Sequence, residues 1–319
     1  MLKARIAHGL KTALAAMLGF LIYAVVLQRP VLTAMVSKAT GGDQPCPWPQ
    51  LAKFPWSVEK FAALQADAST ALKVLEEDAA LGLQRIDAPG KRAFWIKKTG
   101  EDRDGLGTLA YILAEQDWIA GADPKHTVQK GDVVVDVGAH IGTFDDDALR
   151  RGAAKCILIE PDPVNVEAIR RNFRKEIEEG RIVVVPEGAW SSHSTLEFST
   201  GVGNSGTGSF VLHEAGATKL LIPVRPIDEI LAELGIQHVD FMKFDIEGAE
   251  REALKGANLT LKNSKPVLMI DSYHRSDDSV VLPQTIRASQ PAYSIHCALC
   301  SPDRQGDQTR IVPYAIFFD

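Results

Sequence analysis

The chain has 319 residues, of which 45% are hydrophobic and 24% charged, a globular composition that excludes wholesale disorder, collagen-like repeats and a multi-span membrane protein. Its net charge of −6 leaves no basic footprint for nucleic acid. Four cysteines, Cys46, Cys156, Cys297 and Cys300, are too few for a disulfide scaffold.

Residues 12–27, TALAAMLGFLIYAVVL, carry no charge. As a helix they measure about 24 Å, slightly short of a bilayer core of roughly 30 Å. Lys3, Arg5 and Lys11 precede the run, and Arg29 and Lys38 follow it. A retained anchor, a cleaved signal segment and a buried core helix stand as alternatives. The anchor is preferred for residues 1–40, because the small residues around Lys38 lie far beyond the apolar run, with Pro30 between. The expected location is therefore membrane-associated, through a single N-terminal pass. Three basic residues against two do not fix the side. Residues 41–55, rich in Pro and Gly, read as a linker in which Cys46 is a solitary thiol.

Between residues 56 and 125, Phe61, Leu64, Leu72 and Leu75 fall at helical spacing. A strand-like run follows at 93–96, then a helical stretch at 106–119. This part, with the linker from residue 41, reads as a helical cap or extension of the domain that fills 126–319. There, apolar β-branched runs at 133–137, 156–159, 182–185, 239–244 and 267–270 alternate with helical segments at 163–179, 227–234 and 249–254. Such an alternation indicates a doubly wound, mainly parallel sheet covered on both faces. Two late runs, 292–298 and 310–318, read as strands that close the sheet as an antiparallel pair.

The first of these strands runs into Asp136-Val137-Gly138-Ala139-His140-Ile141-Gly142, a D-x-G-x-x-x-G turn. Its glycines allow a sharp turn and close approach to a ligand, at the strand end where open α/β sheets bind ligands. The spacing is not the dinucleotide G-x-G-x-x-G, and the absence of those phosphate-binding glycines speaks against a nicotinamide dehydrogenase. Asp136 would repel a pyrophosphate but pair with an ammonium group. Glu160, at the end of the next strand, is placed to accept both hydroxyl hydrogens of a ribose. A ligand with a ribose and a cationic amino-acid tail but no phosphate fits both, and S-adenosylmethionine is such a ligand. The plainer reading has Asp136 capping the next helix and Glu160 solvated.

Three stretches then resemble the FkbM-type family of S-adenosylmethionine-dependent methyltransferases: VVVDVGAHIGTF (133–144), IEPDPVNVEAIRRNF (159–173) and FMKFDIEGAEREALKGA (241–257). The last carries the family's K-x-D-x-E-G-x-E block from Lys243 to Glu250, and PVLMIDSYHRSDD (266–278) resembles the block that follows it in one branch. The resemblance implies a seven-stranded, Rossmann-like class I methyltransferase fold. It implies that Asp136, Gly138 and Gly142 line the methionine end of the cofactor, with backbone contacts from Ala139 and His140. Glu160 would hold the ribose, and Glu187 and Gly188 would lie near adenine, beside Trp190. Asp245 and Glu247 would end the fourth strand beside the methyl group, with His274 a candidate base; Asp245 and Glu247 also read as helix caps. The expected activity is O-methylation of a small molecule, glycan or lipid. A non-catalytic, membrane-tethered binding protein that keeps the fold is the alternative.

Two departures stand out. Asp145, Asp146 and Asp147 occupy a helix where the family is apolar, so that helix is expected to be short or exposed. Asp271 and Ser272 stand where many members carry Glu. Cys297, Cys300 and His296 resemble half of a zinc site without a second pair, so no metal is expected. The glycine-rich stretch TGVGNSGTG (200–208) lacks the Lys of a phosphate-binding loop and reads as a lid.

Overall fold

The structure, a computed structural model, describes Met17 and residues 30–98, 105–201, 204–213, 215–303 and 310–319. Two helices open it, α1 (Pro30–Ala39) and α2 (Trp48–Ala71), before a meander of β1 (Lys73–Asp78), β2 (Leu83–Asp87) and β3 (Phe94–Lys97). Helix α3 (Gly105–Ala122) leads into the α/β part. Its first half comprises β4 (Val133–Val137), α4 (Thr143–Arg151), β5 (Lys155–Ile159), α5 (Pro163–Asn172), α6 (Arg174–Glu178) and β6 (Ile182–Val185). An insertion follows, with β7 (Gly188–Ala189), β8 (Ser194–Ser199) and β9 (Lys219–Arg225). The second half runs through α7 (Ile227–Glu233), β10 (Phe241–Phe244), α8 (Glu250–Lys255), α9 (Asn258–Asn263), β11 (Val267–Asp271), α10 (Asp278–Ser289), β12 (Ile295–Pro302) and β13 (Ile311–Phe318).

The main sheet has seven strands in the order β12-β13-β11-β10-β4-β5-β6. β4, β5, β6, β10 and β11 pair in parallel. β13 runs antiparallel between β11 and β12. The expected mixed sheet with a late antiparallel pair is thus present. Its two faces explain the near-continuous apolar strands. Val135, Ile157, Met242 and Ile270 bury one face with Ile230, Leu254 and Ile286 of α7, α8 and α10. Val134, Leu158, Phe241 and Met269 bury the other with Trp118, Ala148 and Ile169 of α3, α4 and α5. The chain order reverses between β4 and β10, and their carboxyl ends open a crevice there, where such sheets bind ligands.

The N-terminal part differs from a purely helical cap. Leu72 and Leu75 do not continue α2, because β1 begins at Lys73. The meander packs Ile86, Phe94 and Ile96 against Leu109 of α3 and Ala168 of α5. Arg92 fastens it to the sheet domain, stacking over Phe173 at 4.0 Å and pairing with Asp146 at 2.7 Å and Glu176 at 3.0 Å. That pairing also accounts for one acid of α4. The helix has nine residues and is short as expected, but Asp145 and Asp146 are buried rather than exposed.

Cys46 is not a solitary thiol. It forms a disulfide with Cys300 of β12, 254 residues away, and Gln44 Oε1 accepts the Ile311 N–H at 2.9 Å nearby. With Cys300 so engaged and His296 bonded to Asp319 at 3.0 Å, the zinc half-site resemblance has no thiolate pair. Among the described residues no helix is long and apolar enough to cross a membrane. The run 12–27 lies outside them apart from Met17.

The disulfide predicts that unreduced, denatured protein exposes two thiols, Cys156 and Cys297, to a maleimide counted by mass spectrometry. Cys46→Ser should cost about 2–4 kcal/mol of stability in denaturant unfolding, since a long closed loop restricts the unfolded chain.

Candidate active site

The turn after β4 is built by residues that tolerate left-handed backbone. Gly138 has φ +87° and Gly142 φ +84°. A Cβ on Gly138 would strike the Asp245 carbonyl, and one on Gly142 would strike the Phe173 ring. His140 also takes a positive φ, 52°, and its N–H donates to Glu160 Oε2 at 2.8 Å. Glu160 Oε1 accepts the Asp162 N–H at 2.9 Å and Asn165 Nδ2 at 3.3 Å. Burial, and then the Asp162 charge, push the Glu160 carboxyl up to about 8. The Asp136 side chain does not cap α4, whose cap is Gly142.

Register places Lys243 of β10 beside Asp136 of β4. The ammonium lies 3.3 Å from Asp136 Oδ1 and 3.6 Å from Asp245 Oδ2. Burial opposes the Lys243 charge, but Asp136, Asp245 and Asp271 outweigh it and hold its pKa above the ordinary value. Burial raises Asp136 and the Lys243 charge offsets part of the rise. Asp145 lies against Asp136 with no cation of its own, so burial and the Asp136 charge keep it protonated well above the usual range. Burial, with Lys243 and Lys97, lowers His140 to about 3, leaving a neutral ring whose Nε2 lies 2.7 Å from Ser205 Oγ.

Asp245, Glu247 and His274 come together at the ends of β10 and β11. His274 Nε2 is 3.6 Å from both Asp245 Oδ1 and Glu247 Oε2. Its Nδ1 lies 2.9 Å from Glu250 Oε1. That same oxygen accepts the Ile246 and Gly248 N–H groups at 3.0 and 3.4 Å. Glu250, rather than Asp245 or Glu247, therefore serves the start of α8. Glu247 adopts φ 51°, and burial raises its carboxyl to about 7 against the opposing His274 charge. Burial disfavours the imidazolium, yet Glu250 and Glu247 hold His274 well above its ordinary pKa. Asp271 ends β11 inside the same cavity, raised well above its ordinary value by burial and by Asp245.

One cavity holds Asp136, Gly138, Ala139, His140, Glu160, Gly188, Asp245 and Glu247. Glu187 is not on its wall and instead pairs with Arg225 at 2.5 Å. Trp190 also lies off the wall, edge-on to Phe210 at 6.3 Å. Residues 204–210 border the cavity through Asn204, Ser205, Gly206, Gly208 and Phe210; Asn165 Nδ2 donates to Ser205 O at 3.1 Å and Ser209 Oγ to Glu247 O at 2.7 Å. The far wall comes from outside the α/β part: Tyr111 and Glu115 of α3 face Tyr273, and Glu115 accepts the Tyr314 hydroxyl. Sequence reasoning did not reach Tyr111, Glu115, Asn165 or Ser205. The one available signal was Glu115, which opens the polar triplet Glu115-Gln116-Asp117 in a mostly apolar helix.

Residues 136–292 match the sequence model described as Methyltransferase FkbM domain. A curated relative, methyltransferase sdnD of Sordaria araneosa, is 26% identical over 155 residues, covering 39% of this chain and 60% of its own. The chain thus spans less than two thirds of that relative's length. Among solved structures, methyltransferase FkbM from Methylobacillus flagellatus KT aligns with 70% of this chain and 56% of its own at 24% identity and TM-score 0.45. Precorrin-6y C5,15-methyltransferase from Geobacter metallireducens GS-15 aligns with 64% and 86% at 14% identity and TM-score 0.37. The matched span opens at Asp136 and runs beyond His274, so it includes both strand ends of the cavity, and over this span the chain is similar to the FkbM methyltransferase domain.

Proposed function

We propose that the protein transfers a methyl group from S-adenosylmethionine to a hydroxyl of a small molecule, glycan or lipid. The observation that carries the reading is Asp136: it lines the cavity, is fully buried, and its Oδ2 has no hydrogen-bond partner. A cationic amino-acid tail would satisfy that oxygen, and the turn that Gly138 keeps free of a Cβ lets the backbone close around it. In this reading Glu160 accepts the ribose hydroxyls and the turn from Gly138 through His140 to Gly142 wraps the methionine end. Gly188 borders the adenine. Glu187 acts at one remove, through Arg225, whose strand β9 pairs with Gly188 and Ala189.

The cofactor supplies an electrophilic methyl on a cationic sulfonium. The chain's own task is orientation. Asp245, Glu247 and His274 converge within 3.6 Å contacts at the strand end where the acceptor oxygen would attack; Asp245 takes its proton, since the proposed base His274 already holds one beside Glu250 and Glu247. The wall of Tyr111 and Tyr273 shapes the acceptor's end of the cavity. The proposal includes a membrane tether through residues 12–27, supported by their lack of charge, which would bring the site to membrane-borne acceptors.

Calorimetric titration tests it. The folded chain should bind S-adenosylmethionine saturably, and Asp136→Asn and Glu160→Gln should each weaken binding roughly ten- to hundredfold, the worth of a hydrogen bond to a charged group. No binding by folded wild-type protein would overturn the reading in favour of a non-catalytic module.

Wild-type affinity should rise as pH approaches about 8, where Glu160 ionises. The folded state holds that proton more tightly than the unfolded chain, so ionising Glu160 destabilises the fold. Relative to wild type, Glu160→Gln should therefore gain stability between about pH 4.5 and 8, by up to about 1.4 kcal/mol per unit. Calorimetric melting across that range reads the difference. Limited proteolysis within residues 204–213 should slow when S-adenosylmethionine is added; unchanged cleavage would remove the lid role of the loop.

A further inference from the structure

We infer that Asp245, Glu247 and His274 form a binding site for a divalent cation, open to the acceptor end of the cavity. Each residue offers one ligand atom, and the three atoms lie within 4.8 Å of one another. His274 Nε2 stands 3.6 Å from Asp245 Oδ1 and from Glu247 Oε2. That separation exceeds a hydrogen bond of about 2.7–3.2 Å. It is close to the spacing of about 3.0–3.5 Å between neighbouring ligands that each sit roughly 2.1 Å from one ion.

The imidazole itself points to a ligand. His274 is 3% exposed, and its Nε2 has no hydrogen-bond partner. Its other nitrogen is held at 2.9 Å by Glu250, a fully buried carboxylate anchored by the Ile246 and Gly248 N–H groups. A carboxylate fixing the far nitrogen of a histidine is the outer arrangement that orients metal-bound imidazoles. Lys243 engages Asp245 through Oδ2, which leaves Oδ1 for the ion. Asp245 and Glu247 both border the cavity, so the remaining coordination positions face it. Two carboxylates and one imidazole suit Mn²⁺, Mg²⁺ or Fe²⁺ better than a thiophilic metal. On the methyl-transfer reading, on which this role rests, the ion would take the acceptor hydroxyl as a ligand, orient it and ease loss of its proton. The sequence offered these three residues as catalytic candidates and no metal, because their convergence on one point depends on two strand ends lying side by side.

Mn²⁺ is the probe. The full chain, stripped with EDTA and dialysed, is titrated with MnCl₂ and the free-ion signal followed by electron paramagnetic resonance. One equivalent should bind, at least tenfold more weakly in Glu247→Gln, in His274→Gln and in Glu250→Gln, with folding checked by circular dichroism. Glu247→Gln is isosteric and borders the open cavity, so it decides the matter if the histidine variant does not fold. His296→Ala, which removes the separate surface group of His126, His296 and Asp319, should leave binding unchanged. No saturable binding, or binding that Glu247→Gln leaves intact, would overturn the site and leave an ion pair between His274 and its acids. S-adenosylmethionine titrated into the stripped protein separates the two claims: its binding without Mn²⁺ upholds the cofactor reading whatever the ion does. Mn²⁺ binding to protein that ignores S-adenosylmethionine upholds the ion site and ends the cofactor reading.

Discussion

The ammonium of Lys243 lies where β4, β10 and β11 end, within reach of Asp136 and Asp245 and under the influence of Asp271. Burying a lone lysine would drive off its proton, and burying lone carboxylates such as Asp136 and Asp271 would protonate them. Together they keep at least part of their charge, although Lys243 and Asp136 are almost wholly hidden from water. Removal of either side of such a group costs far more than its net worth, because the partner is left charged and dry. The cavity's acidic character therefore depends on one strand residue whose own side chain is almost wholly hidden.

From that constraint the neighbouring protonation states follow. Asp136 has a cation beside it and Asp145 has none, so the proton of the pair belongs on Asp145. Acids in α4 thus do not contradict a buried helix: one is neutral, and Asp146 is paired with Arg92. Arg92 comes from the N-terminal meander, which ties the extension electrostatically to the helix that follows the glycine turn. The extension is a wall of the site as well as a cap, since α3 contributes Tyr111 and Glu115 to the cavity.

What was legible in the sequence was what is local. The strands of the main sheet show as short apolar runs because both faces are covered, and the turn at Asp136–Gly142 shows because only glycine avoids the Asp245 carbonyl and the Phe173 ring. Asp245, Glu247 and Glu250 fall within six residues, so their block was visible, although the division of labour among them was not. That division depends on which carboxylate reaches the Ile246 and Gly248 amides, a matter of rotamer and of φ at Glu247. The disulfide was illegible because pairing across 254 residues leaves no trace in spacing. Of the meander only the last strand showed, as the run at 93–96; its start was hidden because Leu72 and Leu75 fit a helical period as well as a strand start, and only pairing of β1 with β2 decides between them.

The same division between local and distant explains how the site is held. The Gly138 N–H donates to Ile159 O at 2.9 Å and the His140 N–H to the Glu160 carboxylate at 2.8 Å, so the turn is positioned by the next strand end of the sheet. The far wall of the cavity is assembled from parts far apart in the chain: α3, the loop at 204–210 and the end of β11, backed by Tyr314 on β13. Tyr273 stacks on Tyr314 at 4.2 Å, and Tyr314 in turn bonds Glu115, so this wall is coupled to the antiparallel strand that closes the sheet. On the proposed methyl-transfer reading, a change of acceptor shape would be accommodated by replacing residues on α3 or in the loop while the turn, Glu160 and Lys243 stay as they are. Fixed chemistry on the sheet and variable walls on the extension is the arrangement expected where one reaction is offered to many acceptors.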